Sequence, residues 1–460
     1  GEHSVLHGSN AIGGVINVVS DTSADLRAGF ELGTQDTWRA EARGGIDFDS
    51  GYLTASTANY FTNGVDISGQ DGESDGSRQY SIALRGGAQL SDKWQAKALA
   101  SYGDAKLDFD AGDFESGGVR NSPDQTDSAQ WVFGAGLEGE GLGISHTADI
   151  SYVQTTRENK NTDFDGVTEG TRLKLGYSPS YTLTMETDLS HHLTARIEYE
   201  REDYERRDTP ILFGDPNQKQ NLDIFSLAGE YRLLAGAADI NASIRYDSFD
   251  DLFETALTWR IGAAYDFESL QGRLRASLGE GFTAPSFTEL FGFSPASFIG
   301  NPDLKPEKSL GWEIGWDQSF GPANVSATYF SAQLENEIFT IFTPFFMSTP
   351  DNRDGKSDRQ GIELAGHWAI PDQISLNAQT TWVESFDDTE ETELRVPEWT
   401  GSLSATWQNA SGWQARLAVD FVGEQNDLVF SVFDFGGRLV TLPKYSLISA
   451  NFDIPVTDRF

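Results

Sequence analysis

From Asp25 onward the chain alternates apolar and polar residues with a period of two. Leu274, Ala276 and Leu278 stand against Arg273, Arg275 and Ser277, and Trp312, Ile314 and Trp316 against Glu313, Gly315 and Asp317. The same pattern runs through 94–102, 131–138, 193–200, 240–247 and 413–421. Successive side chains of a strand leave opposite faces, so the pattern predicts about twenty strands of roughly ten to fourteen residues. One face of each is apolar and carries Trp; the other carries full charges. Residues 1–20 read differently, being rich in Gly and closing on a continuous apolar run at 15–19 that predicts a short buried strand.

Connection lengths decide what such strands build. Short connections are expected at 49–50, 91–92, 139–143, 321–323, 371–373 and 409–412. Most of those between are long: 63–79, 104–127, 205–222, 281–308, 337–357 and 423–443. Long and short connections sorted to opposite ends, with an apolar face ringed by aromatics, predict an all-β, transmembrane antiparallel barrel. A lipid-facing Arg or Lys at mid-depth costs about 2–4 kcal/mol, so the charged faces must line the lumen. A soluble sandwich or propeller would need a second layer over the Trp-bearing faces, and no short repeat of the propeller kind is present.

Composition narrows the function. The 460 residues contain no Cys, which removes a disulfide framework and any Cys-based metal site. No apolar run approaches 18 residues, so a membrane-spanning helix is excluded. A formal charge of −38 disfavours nucleic-acid binding, and 12% aromatic content argues against disorder. Ser, His and acidic residues form no nucleophile elbow or other catalytic set, so no enzyme is expected. The letters "GAGLEG" at 134–139 lack a following helix and do not make a dinucleotide site. His191 and His192 read as part of a short surface turn.

Two groups of loop residues are candidates for binding. The stretch 104–127 concentrates Asp104, Asp108, Asp110, Asp113, Glu115, Asp124 and Asp127. Calcium takes six to eight oxygens, so Asp108, Asp110, Asp113, Asp124 and Asp127 are candidate ligands, with a solvated acidic loop as the alternative. The spacing is not that of an EF-hand. Phe287, Phe291, Phe293, Phe345, Phe346, Phe430, Phe433 and Phe435 are candidates to meet a large amphipathic ligand, or else to pack loops together.

"GEGFTAPSFTELF" at 279–291 with "GNPDLKPEKSLGWEIGW" at 300–316 resembles the mid-barrel signature of TonB-dependent outer-membrane receptors, and "SVLHGSNAIGGVINVVS" at 4–20 resembles the end of their plug domain. Weaker matches are "YFSAQLENEI" at 329–338, "RQGIEL" at 359–364 and "RVPEW" at 395–399. The signature positions are Gly8, Gly13, Gly14, Ala284, Pro285, Glu289, Leu290, Asn301, Pro302, Leu304, Pro306 and Glu307. The resemblance implies a barrel of 22 strands closed by a plug. Residues 1–22 would then be the C-terminal remnant of that plug, and 23–460 a barrel with about 20 of its strands. It further implies a monomer in the bacterial outer membrane, in contact with lipid and lipopolysaccharide. An energy-coupling protein of the TonB type would act through the plug, and a small-molecule ligand would bind at the extracellular loops. The modest loops look most like those of cobalamin receptors, which order a similar acidic loop with calcium. A siderophore receptor is the alternative within the family and a passive porin the alternative outside it.

Overall fold

Consecutive segments pair in order, each with the one before and the one after. The computed structural model describes all residues except 1–4, 6, 7, 9, 10, 20, 70, 71, 114, 116, 117, 162–164, 186, 187, 211, 213, 251, 295, 296, 344–346, 371, 372, 432, 433 and 456–460, with backbone alone at 431 and 434–436. Among the described residues, 20 strands form one antiparallel meander. The first thirteen are β1 (Arg27–Leu32), β2 (Trp38–Phe48), β3 (Gly51–Val65), β4 (Asp75–Ser91), β5 (Trp94–Asp113), β6 (Gly118–Gly141), β7 (Ile144–Lys160), β8 (Asp165–Met185), β9 (Leu189–Asp208), β10 (Gln218–Ala235), β11 (Ala238–Phe249), β12 (Ala256–Phe267) and β13 (Gly272–Thr283). Seven more continue the wall from Glu307–Phe320 to Tyr445–Asp453. Among the described residues no ladder joins that last strand to β1, so each keeps one unpaired edge.

Register sorts the side chains as the alternation requires. Ala96 lies opposite Leu137, Ala98 opposite Ala135 and Ala100 opposite Phe133, all on the outer face; Lys97 and Gly136 face inward. Outer residues have no protein over them: Trp131 is 45% exposed, Ile244 52% and Leu257 55%. Trp413 is exposed as well, and Trp94 and Trp259 are half-buried by strand neighbours alone. Aromatic contacts mark the rim at the short turns. Trp94 stacks on His146 at 5.9 Å, His146 Nδ1 bonds the Tyr177 hydroxyl at 2.7 Å, and Phe267 meets Trp316 at 5.6 Å. Among the described residues no helix is long and apolar enough to cross a membrane. A barrel crosses with its strands.

The inner face is a lattice of charges. Arg245 donates to Glu198 at 2.9 Å and to Asp247 at 2.9 Å, and Glu198 also takes Lys174 at 2.8 Å and Arg196 at 2.8 Å. Burial of these groups away from water requires such pairing. Gly8 sits against this cluster, close enough that a Cβ would lie 3.3 Å from an Arg245 nitrogen, and Val5 and Ala11 on either side of it in the chain are buried.

Three sequence expectations change. Strands β5, β6, β8 and β9 have 20, 24, 21 and 20 residues, about twice what crosses a bilayer. Their outer halves stand in water on both faces, so they need no apolar alternation and read as loop. The stretch 104–127 is therefore mostly a hairpin, and likewise 63–79 and 205–222 shrink to 66–74 and 209–217. His191 and His192 lie in β9, with His191 bonded to Tyr231 at 2.8 Å and His192 to Thr182 at 3.0 Å. The run at 15–19 forms no strand; Ile16 and Val18 are 93% and 83% exposed, because no described strand pairs with it.

Candidate functional site

At the long-loop end, adjacent hairpins bring acids from two connections together. Asp66, Asp75 and Asp110 each place a carboxylate oxygen within 4.8 Å of the others'. Backbone turns hold them there. Asp66 accepts from Ser68 Oγ at 2.6 Å and from the Gly69 and Gly72 amides, which keeps its carboxyl below the usual range. Asp110 accepts from the Ser68 and Ser122 amides at 2.9 and 2.8 Å, bridging the loop at 66–74 to the β5–β6 hairpin. Asp75 accepts from the Ile67 amide at 2.9 Å through Oδ2, while its Oδ1 is buried and has no hydrogen-bond partner. Burial pushes the Asp75 carboxyl up, and Asp110, Glu73 and Asp66 add to that push. A hard cation satisfies all three features at once.

Of the five acids that the sequence nominates, Asp110 alone joins this cluster. Asp108 pairs with Lys106 at 3.6 Å and Asp127 with Lys160 at 2.7 Å. Asp113 accepts from the Glu115 amide, and Asp124 is buried, 5% exposed. Asp66 and Asp75 were missed because they lie one hairpin earlier in the chain. The signal was the Asp-Gly-Ser run at 66–76, which the meander carries beside 104–127.

The signature residues build a second feature. Ser286 and Glu289 form a capping box on the single-turn helix Phe287–Phe291, whose Leu290 is 2% exposed. Ala284 and Phe287 pack on a cluster of Leu222, Ile224, Phe249, Ala256 and Phe282, and Pro285 is buried. Asn301 donates to the Pro350 carbonyl at 3.1 Å, Leu304 is buried, and Pro306 accepts from Asn336. Exposed Pro302 follows Asn301 in the same turn. Glu307 accepts from the Ile338 amide at 2.7 Å; burial first, then Glu337 and Glu289, pushes its carboxyl up. Arg359 ties Glu337 to Glu393, and Arg395 pairs with Asp427 at 2.8 Å. The last four long connections are thereby cross-linked. Gly13 and Gly14 make no such contact, having open space around them.

Phe287 stacks on Tyr204 at 5.8 Å and Phe430 meets Phe342 at 5.9 Å, so both pack loop to wall or loop to loop. Phe291 is half-buried at the helix end, and the Phe293 ring packs on Gly214. Phe345, Phe346 and Phe433, like the Phe435 side chain, lie outside the described residues. Lumenal space beneath the loops includes cavities of about 620 and 510 Å³ that share Thr155 and Arg157. A larger one of about 830 Å³ lies near the short turns, between Asp266, Arg273, Asp317 and Arg416.

A continuous antiparallel wall, apolar outside and ion-paired inside, with long hairpins at one end, defines a membrane-spanning β-barrel. Residues 17–460 match the family described as TonB dependent receptor-like, beta-barrel, and the chain belongs to it; it is an outer-membrane barrel and no enzyme. Among relatives, it is 25% identical over 395 residues to the vitamin B12 transporter BtuB of Photobacterium profundum, covering 80% of this chain and 59% of that protein. It is 26% identical over 485 residues to a BtuB of Vibrio vulnificus, covering 98% and 72%. The chain thus spans less than two thirds of the first of these relatives. In fold it is similar to the siderophore receptor PirA from Acinetobacter baumannii, with a TM-score of 0.80 at 15% identity over 99% of this chain and 78% of that one. The copper transporter OprC gives 0.77 at 14% identity over 94% and 74%.

Proposed function

We propose that this chain is the wall of a receptor that imports a scarce solute across the outer membrane, and that the solute is a corrinoid of the vitamin B12 type. The observation that carries the ligand is the likeness in sequence to vitamin B12 transporters along 80–98% of the chain. Fold neighbours at 13–15% identity speak for the architecture alone. Residues 1–22 are read as the end of a plug, seated by Gly8 on the Arg245 cluster. An energy-coupling protein of the TonB type would act on that plug. Binding occurs at the long-loop end, where the chain has both its cross-linked loops and two adjoining lumenal cavities.

Calcium fits the Asp66, Asp75 and Asp110 cluster, whose orphaned Asp75 oxygen asks for a cation. Bound there, it would offset most of the charge of three converging carboxylates and fasten the loop at 66–74 to the β5–β6 hairpin. The test is uptake of labelled cyanocobalamin by cells carrying the full-length receptor, with and without the coupling protein. Uptake that depends on the coupling protein supports the reading. Binding of a ferric siderophore but not of cyanocobalamin would replace the corrinoid, and coupling-independent leakage of small solutes would make it a porin.

A further inference from the structure

Most lumenal cations here are neutralised. Arg39 pairs with Glu41 at 2.7 Å, Arg206 with Asp208 at 2.9 Å and Arg172 with Glu200 at 3.0 Å. Arg157 is different. It stands in β7 opposite Ser128 of β6 and Thr168 of β8, on the inner face, and makes no ion pair or hydrogen bond among the described residues. It also lines both cavities beneath the loops, of about 620 and 510 Å³, joining them into one groove. An Arg with no partner in a protein carrying a net charge of −38 has been left without one of its many potential carboxylates.

Arg39, Asp104, Arg206 and Asp208 also line the groove, with Arg39 and Arg206 already ion-paired, and the rest of its lining is rich in hydrogen-bonding groups. Gln130 donates to Thr155 at 3.1 Å, and Thr126 donates to the Asn159 carbonyl oxygen at 2.8 Å, which leaves the Asn159 amide hydrogens available. Asn161 Oδ1 is buried with no hydrogen-bond partner among the described residues, an acceptor waiting for a donor. Gly170 faces the groove with nothing within 4 Å of where a Cβ would stand, so the wall is hollowed there. A guanidinium without an ion pair among amides and hydroxyls, where the neighbouring Arg39 and Arg206 are already paired, can take a single anionic group on an otherwise neutral, amide-bearing molecule.

We propose that this groove is a subsite for an anionic group, a phosphate or a carboxylate, of the transported solute, with Arg157 as its anchor. The proposal rests on the transport reading above and deepens it. For a corrinoid the anion is the phosphodiester that joins the ring to its nucleotide; its peripheral amides would meet the Asn159 and Asn161 side chains. The step is binding alone, with no bond made or broken.

Cyanocobalamin carries that phosphodiester and dicyanocobinamide, the same ring without the nucleotide, lacks it. Binding of both is measured to the purified full-length receptor, for wild type, Arg157→Gln, Arg157→Lys and Gly170→Phe. Arg157→Gln is expected to weaken cyanocobalamin by roughly tenfold or more and to leave dicyanocobinamide unchanged, since a charged hydrogen bond is lost only with the former. Arg157→Lys should restore part of the loss, and Gly170→Phe, which fills the hollow, should weaken cyanocobalamin. Equal losses for both ligands, or no loss for either, would overturn the subsite. If wild type binds neither corrinoid but binds a ferric tris-catecholate anion, and Arg157→Gln weakens that, the corrinoid reading fails while the subsite stands. Binding of none of the three overturns both.

Discussion

Asp75 carries opposite demands in one carboxyl. Burial and the neighbouring acids raise its proton affinity, whereas the proposed calcium site needs it ionised. An acid raised in the folded state stabilises most when protonated, below its ordinary value near 3.9, and that stability is lost as pH rises through its folded value. Calcium reverses the sign by binding the ionised form. Stabilisation by calcium over a chelator is therefore expected to be larger at pH 7 than at pH 5, read as the shift in urea midpoint. Asp75→Asn or Asp110→Asn should abolish the calorimetric heat of calcium binding, while Asp124→Asn should leave it; the reverse order would remove the cluster from consideration. Glu307 offers a case without metal. Its raised carboxyl means that Glu307→Gln, which keeps an oxygen for the Ile338 amide, should raise the unfolding midpoint at pH 7 and not at pH 4.

Among the elements, the loop at 284–306 shows how much order a non-repetitive stretch can hold. Its five-residue helix is too short to persist alone, so the Ser286–Glu289 box and the burial of Leu290 must sustain it. Gly300 passes so close that a Cβ would lie 2.8 Å from the Leu290 carbonyl. Leu290→Ala is expected to cost about 2–5 kcal/mol locally, and Ser286→Ala about 1 kcal/mol. Hydrogen exchange of residues 286–304 is the measurement, and protection equal to wild type would count against this packing. The signature "GFTAPSFTEL" was legible in the sequence as a motif, but its work was not. Asn301 and Glu307 tie this loop to the next, while Glu289 caps the loop's own helix. The β5–β6 hairpin was misread for the opposite reason. Above the membrane both faces of a strand meet water, and the apolar half of the period-two signal disappears.

For the molecule as a whole, the bilayer is the missing second layer. Ile244 points outward at the middle of β11, so Ile244→Arg is expected to cost about 2–4 kcal/mol, measured by urea unfolding in lipid vesicles. Gly134→Ser, on the inner face where a Cβ would meet nothing nearer than 3.9 Å, should stay within about 0.5 kcal/mol. Equal costs would contradict the assignment of faces. The order of strands, their antiparallel pairing and which face meets lipid were all readable from the chain, because period two and alternating connection lengths are local properties. Three things were not readable: which loops reach each other, which acids converge, and which lumenal cations are left without an ion pair among the described residues. Asp66 and Asp110 are distant in sequence and become neighbours only when adjacent hairpins rise side by side. Arg157 looks like any other arginine until the register sets Ser128 and Thr168 beside it and, among the described residues, no carboxylate pairs with it.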